Sequence, residues 1–317
     1  MRNYYPVLLM LFISTLVITQ ISQAQQVDTV DGRVITLTEV IVRSKTDVRG
    51  FMERVKSDTS FYKAFRNLRV LEFSSLNDIR MYDKKGKEKA TLDSRTRQYV
   101  NNGCRYTKKE AEKSAGDFYD KNGGFNYYTA ELYSGLLFAF DTVCGETNIV
   151  KGAELNVKNK KGIEKNKEQL KMLFFNPGMK IPGIPLMGHK AALFEDDMSK
   201  WYNYSIDIQE KNGQQFYVFT VHRKSSEEGG DPDKVVIDEM VTWFNYQTFE
   251  VESRNYSLSY DAGVYDFNVQ MEVQLSHYQQ WLVPTLIRYN GTWNVITKKR
   301  ERGVFTATLF DFAEGKK

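Results

Sequence analysis

The chain carries few residues in arrangements that could catalyse a reaction. Its histidines are His189, His222 and His277, and none has a second histidine or a carboxylate at metal-ligand spacing. The HExxH, GxSxG, P-loop and GxGxxG motifs of zinc hydrolases, serine hydrolases and nucleotide-binding proteins do not occur. We therefore expect a protein that is not an enzyme and that needs no metal or cofactor. A hydrolase in which a serine or cysteine nucleophile pairs with one of these histidines is the alternative.

One acidic stretch, residues 225–233 (SSEEGGDPD), gathers four carboxylates around two glycines. Oxygen-rich loops of this kind can hold calcium in exported proteins. The spacing fits no known calcium-binding frame, which favours a solvated turn between two strands.

The cysteines, Cys104 and Cys144, are two in number and form no CxxC motif. In an oxidising compartment two lone thiols more often pair than stay free. A bridge would close a loop of about forty residues and stabilise the fold by about 4 kcal/mol in the chain-entropy model. Two buried, unpaired thiols are the alternative.

The first 24 residues predict export. Arg2 precedes an apolar run over residues 6–18, and Ser22 and Ala24 place small side chains where a signal peptidase cleaves, before Gln25. The apolar run is shorter than the roughly twenty residues that span a bilayer. We expect a cleaved signal peptide over residues 1–24, no transmembrane segment after cleavage, and a location in the periplasm or outer cell envelope. An uncleaved anchor is the alternative.

The overall composition excludes nucleic acid as a partner and favours a fold rich in β-sheet. The net charge of +4 is too small for nucleic-acid binding, which needs a concentrated basic face. The lysines of residues 158–167 are interrupted by polar residues and indicate a solvated loop rather than a patch for anionic lipid. An aromatic share of 14% suits pleated, half-buried surfaces.

Hydrophobic periodicity predicts an α+β fold in the first 200 residues. After an N-terminal strand over residues 34–42, helical spacing covers 48–55 and 61–68, with a break at Asp58-Thr59-Ser60. Strands follow over 70–82 and 88–100, joined by a turn at Gly86. The region 101–200 predicts a helical insert, with helices over 108–115, 129–140 and 164–175.

From residue 201 onward the chain predicts an antiparallel meander with Asn-Gly turns at 212–213 and 290–291. Its clearest strand has six apolar residues that alternate with polar ones: Tyr265, Phe267, Val269, Met271, Val273 and Leu275. Burying that face yields about 10 kcal/mol, so something must cover it. The whole chain predicts about eleven strands.

An apolar segment with three prolines, residues 177–188, is unusual because loops are normally polar. It either plugs one end of a core or gates a pocket. Its apolar residues are Met179, Ile181, Ile184, Leu186 and Met187.

Residues 201–312 resemble the periplasmic lipoprotein carrier (LolA-like) family. The resemblance rests on Tyr204-Ser205-Ile206-Asp207-Ile208, the Gly213 turn into Phe216-Tyr217-Val218, and Trp243-Phe244-Asn245 with Thr248 and Val251. It implies an incomplete barrel of antiparallel strands whose concave apolar face is covered by helices and shelters acyl chains.

We therefore predict an N-terminal arm over residues 25–45 and one domain over 46–317 that binds a lipid or a lipoprotein acyl chain. The expected cavity lining is Trp243, Tyr265, Phe267, Val269, Met271, Val273 and Leu275, with the apolar residues of the proline segment as the gate. The alternative is an interaction or scaffold protein of the envelope, with a protein partner, a filled core and no small ligand.

Overall fold

The structure is a computed structural model, and it describes residues 28–30, 33–35, 48–150, 172–181, 187–261, 265–295 and 300–316. Contacts divide the chain into two units, residues 1–39 and 40–317. In the first unit, strands β1 (Asp28–Val30) and β2 (Arg33–Ile35) pair antiparallel. The predicted signal peptide and most of the predicted strand over residues 34–42 lie outside the described residues.

The described part of the second unit forms one antiparallel sheet of eleven strands. The strands are β3 (Leu71–Tyr82), β4 (Glu88–Asn101), β5 (Cys104–Gly116), β6 (Val143–Cys144), β7 (Tyr202–Lys211), β8 (Gln214–Arg223), β9 (Ile237–Asn245), β10 (Val251–Asp261), β11 (Tyr265–Tyr278), β12 (Trp281–Val295) and β13 (Glu301–Glu314). Their order is β6-β5-β4-β3-β13-β12-β11-β10-β9-β8-β7. The C-terminal strand β13 therefore joins the two halves of the sheet by pairing with β3.

Helices pack on one face of this sheet. They are α1 (Val48–Ser57), α2 (Ser60–Asn67), α3 (Tyr128–Leu137), α4 (Met187–Lys190) and α5 (Asp196–Ser199), and residues 172–175 are also helical. From α1, Phe51 contacts Phe219 and Phe244 with ring centroids 5.6 and 5.9 Å apart. From α3, Tyr133 stacks on Phe305 of β13. The predicted α+β class and the large antiparallel sheet with a helix-covered face are confirmed.

Short polar segments set several element boundaries as the sequence predicts. Asp58 separates α1 from α2 because its carboxylate accepts hydrogen bonds from the Ser60 amide and hydroxyl, both at 3.1 Å. Gly86 has a φ of 77° in the β3–β4 turn, and Asn212 and Gly213 have φ values of 53° and 76° between β7 and β8.

The helix predicted over residues 108–115 is wrong, because these residues belong to β5. Their lysines, glutamates and alanines favour a helix locally, but pairing with β4 along its length overrides that preference. The segment lies near the edge of the sheet, where charged side chains protect exposed backbone groups from unwanted pairing.

The turn predicted at Asn290-Gly291 is also wrong, since β12 runs straight through it. Gly291 pairs with Val269 on one side and Gly303 on the other. A Cβ atom at Gly291 would lie 2.2 Å from the Tyr289 hydroxyl. Glycine therefore leaves room for the Tyr289 side chain and does not mark a turn.

Candidate functional site

The apolar residues of β11 lie on the helix-covered face as their alternation predicts. Phe267, Val269, Met271, Val273 and Leu275 are all buried there. The intervening Asn268, Gln270 and Gln274 are exposed on the opposite face. The side chain of Tyr265, also predicted for this lining, is outside the described part of the structure.

Trp243 does not join this lining. Its neighbours Thr242 and Phe244 are buried on the covered face, so Trp243 points to the opposite face. There it packs on Phe216, with ring centroids 5.7 Å apart, under the Lys211 ammonium. Trp243 therefore lies on the face opposite the predicted lining, because its position along the strand gives it that face.

A small apolar cavity lies between the helices and the sheet. Its volume is about 10 Å³ for a water-sized sphere, far below the roughly 300 Å³ of a typical ligand pocket. The lining residues are Tyr133, Leu136, Leu137, Phe174, Phe175, Met271, Ile287, Tyr289 and Phe305. Met271 is the one predicted lining residue among them.

Aromatic side chains join the sheet to the elements that cover the cavity. Tyr133 lies between Tyr289 and Phe305, with centroid distances of 4.4 and 5.3 Å. Phe174 contacts Tyr289 and Trp293 edge to face at 6.2 and 6.1 Å. These residues could not be predicted as a site, because strand and helix patterns in a sequence do not show which elements meet across the core.

A second aromatic contact joins two of the covering elements. Phe175 stacks on Phe65 of α2 at a centroid distance of 4.2 Å. The Tyr256 hydroxyl donates a hydrogen bond to the Phe174 carbonyl and so attaches residues 172–175 to β10. Burial raises the pKa of Tyr256, so this phenol remains a neutral donor.

A buried polar pair lies beside the cavity. The Trp293 indole Nε1 donates to the Tyr289 hydroxyl at 2.5 Å. The Tyr133 hydroxyl lies near Tyr289 but has no hydrogen bond of acceptable geometry among the described residues. Burial raises the pKa of both tyrosines well above the ordinary value, so this end of the core carries no charge from them.

Among the described residues, one cation is buried on the covered face, close to the break between α1 and α2. The Arg254 guanidinium lies 4.3 Å from the ring centroid of Phe61, and its Nε donates to the Thr242 hydroxyl at 2.9 Å. Burial lowers the pKa of Arg254 to about 10, although the nearby Asp58 carboxylate acts in the opposite direction.

The predicted gate is described in part. Ile181 and Met187 are buried and Met179 is half-buried, whereas Ile184 and Leu186 lie outside the described residues. The Ile181 amide donates to the Gly188 carbonyl at 3.0 Å. A Cβ atom at Gly188 would lie 2.1 Å from the Ile181 carbonyl oxygen, so glycine permits this close backbone contact.

The cysteines form a disulfide, and the segment after it is fastened to α2. Glu146 accepts from Arg105 at 2.5 Å and pairs with Arg69 at 3.0 Å. Arg66 donates to the carbonyl of Thr147 at 2.6 Å, and Lys63 to that of Asn148 at 2.6 Å. The disulfide thus anchors a strap, residues 145–150, that holds α2 in place.

The histidines lie at the surface. His189 pairs with Asp197 at 2.5 Å and His277 with Glu250 at 3.1 Å, and all four side chains are about half exposed. In the part of the chain that the structure describes, no three histidine, cysteine or acidic residues are grouped to hold a metal ion. The same described part contains no helix with the length and apolar character to cross a bilayer.

The acidic stretch adopts two short 3-10 turns, Ser226–Glu228 and Pro232–Lys234. The Glu228 carboxylate accepts from the Ser225 amide at 2.8 Å and from the Asn203 side chain at 2.9 Å. The Asp231 carboxylate accepts from the Asp233 amide. These two carboxylates serve as caps of the turns.

No protein-family model and no curated protein matches the chain. Among solved structures, it is similar to a DUF1329 family protein from Desulfovibrio piger, with 11% identity, a TM-score of 0.25 and coverage of 84% of this chain and 90% of that one. It is also similar to a putative outer membrane lipoprotein-sorting protein domain from Vibrio parahaemolyticus, with 10% identity, a TM-score of 0.25 and coverage of 84% and 91%.

Proposed function

We propose that this chain binds an apolar ligand, a lipid or an acyl chain, between the sheet and its covering helices. The observation that carries the proposal is the wholly apolar cavity at which α3 and residues 172–175 meet β11, β12 and β13. These covering elements contact the sheet there through side chains, which can repack without breaking the strand pairing.

Ligand binding requires the cavity to grow beyond its present volume. The side chains of Leu136, Phe174 and Phe175 would move away from the sheet, and Met271 would adapt to the ligand because its unbranched side chain is flexible. Each methylene of the ligand that leaves water contributes about 0.8 kcal/mol. An acyl chain can therefore offset the loss of the aromatic contacts.

The proposed location is the periplasm or outer envelope, and the proposed role is non-catalytic carriage or sensing of the ligand. Export is supported by the signal-like first 24 residues. The Cys104–Cys144 disulfide supports an oxidising compartment. In such a compartment the acyl chain could belong to a lipoprotein, which would then be the binding partner.

Contact quenching of tryptophan tests the proposal. Trp293 is buried beside Phe174, whereas Trp243 lies on the opposite face of the sheet. A fatty acid brominated along its chain quenches only tryptophans that it contacts. We expect saturable quenching in the wild type and in Trp243→Phe, and loss of that quenching component in Trp293→Phe.

Two results would contradict the proposal. One is the absence of saturable quenching in the wild-type protein, together with the absence of lipid in protein analysed by native mass spectrometry directly after purification. The other is quenching that Trp243→Phe removes and Trp293→Phe retains, which would place the ligand on the outer face.

The small cavity also favours a second candidate, an envelope interaction protein with a filled core. In that case the binding surface would lie on the outside of the sheet. Leu76 is 50% exposed there, in register with Thr308 of β13. Loss of partner capture from envelope extracts in Leu76→Asp, with no ligand quenching at Trp293, would support this candidate.

A further inference from the structure

Among the described residues, β7 is the last strand of the sheet and its outer edge is open. It pairs with β8 on one side, and among the described residues no strand pairs with its other side. The hairpin turn at Asn212-Gly213 has two residues, and Lys211 and Gln214 flank it as a cross-strand pair. In a turn of this length the backbone groups of the two flanking residues bond to each other. Hydrogen-bonded pairs alternate with non-hydrogen-bonded pairs along a hairpin. Counted from Lys211, Tyr204, Ile206 and Ile208 are in non-hydrogen-bonded pairs with β8, so their amides and carbonyls point to the open edge.

The strands near the two edges of the sheet differ in composition. Beyond its short pairing with β6, β5 carries exposed lysines and glutamates from Lys108 to Lys113, the usual protection against edge pairing. The centre of β7, Tyr204 to Ile208, has one charged residue, Asp207, and no proline. An edge of this composition is suited to pairing with another strand.

We propose that two copies of this chain join through their β7 strands, antiparallel, about a twofold axis at Ile206. In this register Ile206 faces Ile206 of the second copy, Tyr204 faces Ile208, and Ser205 faces Asp207. The residues whose backbone groups point to the edge then bond to one another across the axis. A twofold interface of this kind uses the same surface on both copies.

The side chains agree with this register. Tyr204, Ile206 and Ile208 are opposite Val221, Phe219 and Tyr217 of β8, so all three belong to the helix-covered apolar face. Tyr204 and Ile208 are only part-buried, and a second copy would cover them further. A shift of the axis to Asp207 would place the two Asp207 carboxylates directly opposite each other, which is unfavourable.

Cysteine pairing between copies tests the register. In a non-hydrogen-bonded pair such as Ser205–Asp207 the Cα atoms are about 4.5 Å apart, within the range of a disulfide. A mixture of Ser205→Cys and Asp207→Cys proteins should form a disulfide-linked heterodimer on mild oxidation. A mixture of Asn203→Cys and Ser205→Cys, which are not opposite, is the matched control. Equal yields of heterodimer in the two mixtures, or none in either, would overturn the proposal.

Charge variants test the interface without touching the core. Ser205→Asp would face Asp207 twice per dimer, whereas Ser205→Lys would form two opposite-charge pairs, so the dimer dissociation constant should rise about two- to tenfold in the first and fall by a similar factor in the second. Sedimentation velocity over a concentration series measures both. A folding defect would shift the two variants in the same direction. A protein that stays monomeric at all concentrations, as it would if another segment of its own chain occupied the edge, refutes the inference.

Discussion

Trp293 and Tyr289 are joined by an indole-to-hydroxyl hydrogen bond of 2.5 Å on the covered face of β12, with Gly291 between them in sequence. The Tyr289 side chain passes over Gly291, at a position where any Cβ atom would collide with it. The pair therefore depends on a residue that has no side chain. This relationship explains why an Asn-Gly sequence lies inside a central strand.

Gly291→Ala should destabilise the fold by about 1 to 3 kcal/mol, because Tyr289 would have to leave its position and break its bond with Trp293. Urea unfolding measures the free-energy difference. Asn290→Ala is the control, since Asn290 lies on the other face of the same strand. Equal stability of the two variants would show that Tyr289 repacks freely.

The sequence predicted the elements whose signal is local. Alternation placed five residues of β11 on the covered face, and turn residues located the β3–β4 and β7–β8 hairpins. Trp243 shows the limit of such patterns, because its own strand lacks a clear alternation and its face depends on pairing. The cavity could not be predicted, since Tyr133, Phe174 and Phe305 are far apart in sequence and meet only in the tertiary structure.

Thr242 and Arg254 should behave as a coupled pair. Thr242→Val removes the acceptor of the Arg254 Nε hydrogen bond and leaves a buried polar group unsatisfied, which costs about 1 to 3 kcal/mol. In an Arg254→Met background the same substitution should be nearly neutral, because the buried charge is gone. A double-mutant cycle from urea unfolding gives the coupling energy, and additive effects would contradict the pairing.

Reduction of the Cys104–Cys144 disulfide should release the strap at residues 145–150 and loosen α2. The sequence separation of the cysteines is 40, so the chain-entropy model gives a loss of about 4 kcal/mol on removal of the bridge. On reduction, the rate of hydrogen exchange should increase more in α2, where Lys63 and Arg66 bond to the strap, than in α1. A Cys104→Ala/Cys144→Ala variant should show no further change with reductant. Unchanged exchange in α2 after reduction would mean that the side-chain contacts alone hold the strap.

Asp238 should make the fold less stable as pH rises through the weakly acidic range. Burial raises the pKa of this carboxyl above its ordinary value of 3.8, despite the hydrogen bond from Ser259 and the charges of Arg223 and His222. The folded state therefore binds a proton more tightly than the unfolded state, so the contribution of this group falls as pH rises through its raised pKa. The unfolding free energy of Asp238→Asn, relative to that of the wild type, should therefore increase as pH rises above the ordinary pKa of 3.8. Asp261→Asn, at an exposed position at the end of β10, is the control for the loss of one carboxylate. Urea unfolding at a series of pH values measures both variants, and a fall in the unfolding free energy of Asp238→Asn relative to the wild type as pH rises would show that the ion pair with Arg223 outweighs burial.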